Sequence, residues 1–229
     1  MTALRPPEYF PRQPVAALFL AADRVILADT LPFSRQAAHN RARIRSAEGR
    51  QWLTVPREHT GARQPLDRLA VVGTDWKRKH VHALRTAYGM ASYGEHVLPE
   101  IEALLARDYD SLGGLAVATG RWTHRWLGAT SELVLASSLP GRPDTLAAIW
   151  EAAGASPLLA LPESASRDHD RLAVETHVLH YAGTAYRQSF AGFEPGCSSL
   201  DVILNHGPRA ADLLRARTRL AALGEDLSL

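Results

Sequence analysis

Short apolar runs separated by helix-length stretches constrain this chain most. Arg24-Val-Ile-Leu-Ala, Leu69-Ala-Val-Val, Glu132-Leu-Val-Leu-Ala and Pro157-Leu-Leu-Ala-Leu are each too brief for a helix and suit strands buried on both faces. Between them Val15-Ala-Ala-Leu-Phe-Leu-Ala-Ala reads as helix by its alanine and leucine content. Further helices are predicted from Asp75 to a stop at Gly89, from Glu95 to Arg107, from Leu112 to Leu127 and from Asp144 to Ala153. Glu163 to Asp170 reads as a polar loop, Ala173 to Tyr181 as an alternating strand, and the tail from Ser198 as helix broken at Gly207-Pro208. Asn40 to Ser46 and Gln51 to Val55 form a hairpin candidate with Arg41, Arg43 and Arg45 on one face. Strands interleaved with helices predict an α/β fold: a mixed sheet with packed helices, a helical middle region and a helical C-terminus, in a single domain over residues 1–229.

Composition narrows the function classes. With 229 residues, 46% of them hydrophobic, one core can bury about 70% of the unfolded chain's surface, so no metal or disulfide staple is required. The 26 Lys and Arg against 24 Asp and Glu leave a formal charge of +2, too weak a field for a general nucleic-acid binder. Cys197 is the single cysteine, which rules out an internal disulfide and fits a reducing, cytoplasmic setting. The most apolar stretch, Pro14 to Leu27, is broken by Asp23 and Arg24 and falls short of the roughly 18 residues a membrane span needs, so no membrane partner is expected. Glycine-rich phosphate loops, the Rossmann fingerprint, the nucleophile elbow and the zinc-helix motif are all missing from the sequence, and no metal ligands or identifiable cofactor are predicted.

Several residues carry chemistry in either of two ways. His80 shares a helix face with Trp76 and Leu84, four residues away on each side, and points inward as a general acid or base or as a hydrogen-bonded core histidine. Asp29 ends a buried strand, where it serves an amine substrate or simply forms a turn before Pro32. The three arginines of the hairpin clamp a phosphate, a nucleotide-sugar or a carboxylate, or else make a solvated edge. Ser198 and Asp201 have capping-box spacing ahead of an apolar run, and Cys197 precedes that helix start as an inert buried thiol or as a nucleophile. Tyr186 and Gln188, two apart, form the floor of a small polar site or ordinary packing. We expect Asp29, Arg41, His80, Tyr186 and Gln188 to line one cavity.

The ordered stretches Arg5-Pro-Pro-Glu-Tyr-Phe-Pro, Ala22 to Ser34, Asn40-Arg41, Trp52-Leu-Thr-Val-Pro, Asp75-Trp-Lys-Arg-Lys-His, Tyr88, Tyr186-Arg-Gln, Phe193-Glu-Pro, Ser198-Ser-Leu-Asp and Asn205-His-Gly-Pro resemble the WbqC-like family over nearly the whole chain. The resemblance implies a cytoplasmic bacterial enzyme linked to surface-polysaccharide (O-antigen) or specialised-metabolite assembly. It further implies transfer or condensation of an acyl or amino-acid group onto a small amine, as a monomer or a homo-oligomer. His80 and Asp29 are then the catalytic candidates, with Asn40, Arg41, Tyr9, Tyr186, Gln188 and Asp201 as substrate-binding candidates. A non-catalytic small-ligand binding protein on the same scaffold is the alternative. The chain departs from the family pattern at Arg5-Pro6, where His-Gln is usual, at Ala28 in place of an aspartate, and at Leu159-Ala-Leu-Pro in place of Tyr-x-Ser-Gly.

Overall fold

Strands of this sequence pair mainly in parallel, because the segments between them are long enough to cross back over the sheet. The computed structural model describes residues 1–59, 63–154 and 157–225. In chain order the elements are β1 (Thr2–Arg5), α1 (Gln13–Ala21), β2 (Arg24–Leu27), β3 (Arg41–Ser46), β4 (Gly49–Thr54), α2 (Asp75–Tyr88), α3 (Gly94–Ala106), α4 (Leu112–Trp126) and β5 (Glu132–Leu135). They continue with α5 (Leu146–Ala153), β6 (Leu158–Ala160), α6 (Ala165–Leu172), β7 (Thr176–Tyr181), α7 (Ser199–His206), α8 (Ala210–Arg215) and β8 (Thr218–Ala222). The six-stranded sheet runs β5-β2-β1-β6-β7-β8; only the β7–β8 pairing is antiparallel, and β3 and β4 form a separate antiparallel hairpin. The fold is therefore α/β with a mixed sheet, as the interleaving of runs predicts.

Both faces of the sheet are covered, which is why its strands are apolar at consecutive positions. Ala3, Val25 and Leu27 pack with Val15, Leu18 and Phe19 of α1 and Val117 of α4 on one face. Leu4 and Ile26 pack with Ile149 and Trp150 of α5 on the other. A third cluster joins the inner side of the hairpin (Ala42, Ile44, Leu53) to α2, α3, α4 and α7. The start of α4 lies hard against the turn at Leu66–Arg68: a Cβ on Gly113 would sit 2.7 Å from the Leu66 carbonyl carbon, so only glycine fits there. That glycine marks a close approach within a helix that persists to Trp126.

Three local expectations are corrected, and one strand is added to those the sequence predicts. Thr2–Arg5, which carries little β signal, is a strand because β2 and β6 flank it. Leu69–Val72 is not a strand; within it only Val71 makes an isolated bridge, to Arg57. The polar stretch Glu163–Asp170 is largely helix α6, whose Arg167, Asp170 and Arg171 face water while Ala165 and Asp168 are buried. The tail does not stay helical: Thr218–Ala222 pairs with β7 as an edge strand, so sheet pairing overrides the helix propensity of its leucine and alanines.

Candidate functional site

Because β1 is flanked by β2 on one side and β6 on the other, its carboxyl end is where the chain's path reverses, the place at which open α/β sheets gather ligands. The loop from Pro6 to Arg12 leaves that end with Phe10 at φ 42°, a left-handed conformation that costs a non-glycine residue about 1–3 kcal/mol. Thr119 holds the kink by accepting from the Phe10 amide at 3.0 Å. Neighbouring side chains of this loop therefore reach different partners. Glu8, buried, accepts from Arg12 Nη2 at 2.8 Å and from Arg12 Nε at 3.1 Å. Tyr9 turns the other way, toward His80. Burial pushes the Glu8 carboxyl up, but the Arg12 and Arg5 guanidiniums outweigh it and hold Glu8 below the usual carboxylate range. Arg5 donates to Ser164 Oγ at 3.0 Å, and Glu163 stands 3.6 Å from Arg5 and 3.2 Å from Arg12.

His80 lies on the inward stripe of α2 with Trp76 and Leu84, as the four-residue spacing predicts, and is 5% exposed. Its Nδ1 is 2.9 Å from the Tyr9 hydroxyl; the Thr54 carbonyl nearby favours the charged ring but does not offset burial. Desolvation is the larger influence and lowers the imidazole pKa to about 4, so the ring is neutral at pH 7. A cavity of about 580 Å³ opens beside it, lined by Thr54, Pro56, Val72, Asp75, Trp76 and Lys79 among others. Val72 at this cavity and Trp52, two residues before Thr54 on β4, are 50% and 46% exposed, unusual for side chains of their size.

Tyr186, Gln188 and Asp201 do meet, in a separate buried network. The Asp201 carboxylate accepts from the hydroxyls of Tyr88 (2.9 Å) and Tyr186 (2.5 Å) and from Gln188 Nε2 (2.8 Å). Gln13, at the start of α1, donates to the Tyr186 oxygen and accepts from Tyr181. Asp201 is thus turned into the core, and Ser198 makes no side-chain cap, so the Ser-x-x-Asp spacing is not a capping box. Cys197 is buried beside them, and desolvation pushes its thiol up to about 12, the opposite of an activated nucleophile. Cys197→Ser should leave turnover within about tenfold of the parent protein, and the native thiol should resist alkylation until the chain unfolds; mass spectrometry of iodoacetamide-treated protein checks this.

The single-cavity expectation is overturned, since the space beside His80 is lined by none of Asp29, Arg41, Tyr186 or Gln188. Both Asp29 oxygens are taken by Ser137, from its amide at 2.9 Å and its hydroxyl at 2.6 Å, tying the end of β2 to the turn after β5. Asn40 donates to the Val55 carbonyl and closes the base of the hairpin. Arg41 donates to the Arg35 carbonyl and, with Arg43, stacks on Trp52 at 4.8 and 4.4 Å. Arg45 shares their face but is buried, donating to the Ala191 carbonyl. Reading of the sequence missed Glu8, Arg12 and Glu163. The Glu8/Arg12 spacing of four is the available signal, a weak one because it lies outside any helix pattern.

Among the described residues no cluster of three or more His, Cys, Asp or Glu could hold a metal ion, and no helix is long and apolar enough to cross a membrane. Comparison with solved structures finds no match. The chain is 28% identical over 217 residues to the uncharacterized protein Rv1507c of Mycobacterium tuberculosis (strain ATCC 25618 / H37Rv), covering 90% of this chain and 94% of that protein. The sequence profile of the WbqC-like protein family matches residues 6–213, and with the ordered motifs running from the β1–α1 loop to α7, the chain belongs to that family.

Proposed function

We propose that the protein is a cytoplasmic biosynthetic enzyme that transfers or condenses an acyl or amino-acid group onto a small amine, using the cavity beside His80. The observation that supports this reading is an imidazole kept neutral at pH 7 in the wall of a cavity of about 580 Å³, within the range of small-molecule sites. Asp75 and Lys79, one helical turn apart on α2, add a carboxylate and an ammonium to the same wall, complementary to the two charges of an amino acid. In acyl transfer the amine nitrogen becomes acidic only as its bond to the carbonyl carbon forms. A weak base suffices at that stage: with the Nδ1 hydrogen donated to the Tyr9 oxygen, His80 takes the amine proton on Nε2 and hands it to the leaving group as the donor's acyl bond breaks.

A second reading, a ligand-binding protein without turnover, is favoured by the buried hydrogen bond that His80 already makes to Tyr9. His80→Gln separates them. Incubation with an amino-acid panel and acyl thioesters, followed by mass spectrometry, should show turnover at least about 100-fold lower in the variant, with a smaller loss of melting temperature. Turnover per folded molecule equal to the parent's would remove His80 from the chemistry, and amino-acid binding without any product would favour the second reading.

A further inference from the structure

Beyond the cavity at His80, the carboxyl end of β1 holds a charged cluster that the proposed chemistry does not use. Arg12 is fixed by the buried Glu8 through paired hydrogen bonds and is neutralised by it. Arg5 has no such buried partner: its Nε is buried without any acceptor, and its remaining nitrogens reach Ser164 and the Glu163 carboxylate. Among the described residues Glu163 makes ion-pair contacts to both guanidiniums, yet it is 49% exposed and sits on the turn between β6 and α6. An exposed pairing of this kind is weak and easily exchanged. Ser164, which accepts from Arg5, is the N-cap of α6 and offers that helix no side-chain cap, so the positive end of the helix opens on the same spot. The cluster lies between β1 and β6, where the strand order reverses.

We propose that Arg5 and Arg12 form a seat for a carboxylate or phosphate group of a ligand, and that the Glu163 side chain occupies this seat when the ligand is absent. An incoming oxyanion replaces the Glu163 carboxylate on two fixed guanidiniums, meets the α6 N-terminus and keeps the cluster's charge balanced, while Glu163 moves into water. The seat stands whether or not His80 is catalytic.

The test uses the full chain and isothermal titration at constant ionic strength, with sodium phosphate in one arm, sodium acetate in the other and sodium chloride as the control. Glu163→Gln, which keeps the shape and removes the competing charge, should bind phosphate or acetate at least about tenfold more tightly than the parent protein. Adding Arg12→Gln should abolish that gain; should the double variant fail to fold, Arg5→Gln in the same background takes its place. Whichever arm responds more strongly identifies a phosphoryl or a carboxylate ligand. Glu163→Gln binding neither anion more tightly than the parent, or a gain that survives loss of the arginine, overturns the proposal.

Discussion

Asp201→Ala is expected to cost about 3–5 kcal/mol, a large share of the roughly 5–15 kcal/mol that holds a domain together. Asp201 is 0% exposed, and its carboxylate is the common acceptor for Tyr88, Tyr186 and Gln188. Alanine leaves those donors buried without an acceptor, at about 1–3 kcal/mol for each that finds no substitute. Tyr88 also accepts from the Arg45 amide of β3, and Tyr186 accepts from Gln13 of α1, so the damage spreads to the hairpin and the sheet. Tyr186→Phe removes one donor to Asp201 and the acceptor of Gln13, and should cost less, about 1–2 kcal/mol. Urea midpoints of the two variants check the ranking. A loss under about 1 kcal/mol for Asp201→Ala would mean that the network relaxes onto water and does not brace the core.

Acid should destabilise the protein well before its exposed carboxylates are protonated. His80 titrates near 4 in the folded chain and near 6.5 when unfolded, because burial opposes its charge. Between those values the unfolded state binds more protons, so stability rises with pH. The contribution is complete above about pH 6.5 and is lost progressively toward pH 4, reaching about 3 kcal/mol. Burial also lowers the pKa of His39, which acts in the same direction. Asp201, raised chiefly by burial, acts oppositely: its neutral form is favoured in the fold, so acid relieves part of the loss. From pH 7 to pH 5 the unfolding free energy obtained from urea titrations should fall by about 2 kcal/mol in the parent and by clearly less in His80→Gln. Equal slopes in the two proteins would count against a buried, neutral imidazole.

What was legible in the sequence depended on where the information is stored. Arg24–Leu27 and Glu132–Leu135 were readable because a strand covered on both faces must be apolar along its length. His80 was readable because helix spacing places it between Trp76 and Leu84. Thr2–Arg5 and Thr218–Ala222 were not, since their strand character comes from partners remote in the chain. The site suffered in the same way. Tyr9 and His80 are 2.9 Å apart through a backbone kink at Phe10 that no local pattern announces. Asp29 looked catalytic from its position at a strand end, whereas its use depends on Ser137, more than a hundred residues later.

The placement of β1 also governs the order in which the molecule can assemble. Thr2 finds its partner Arg24 early, but its other neighbour, Leu158, follows only after the hairpin and four helices. Bridging so long a stretch is slow, because chain entropy is lost before the contact repays it. Until β6 arrives, one side of β1 is an open row of backbone donors and acceptors on an apolar strand, the kind of edge that recruits other chains. A nascent or cleaved chain ending before residue 158 is therefore a sticky species, and yield of this protein during synthesis will depend on how quickly that edge is closed.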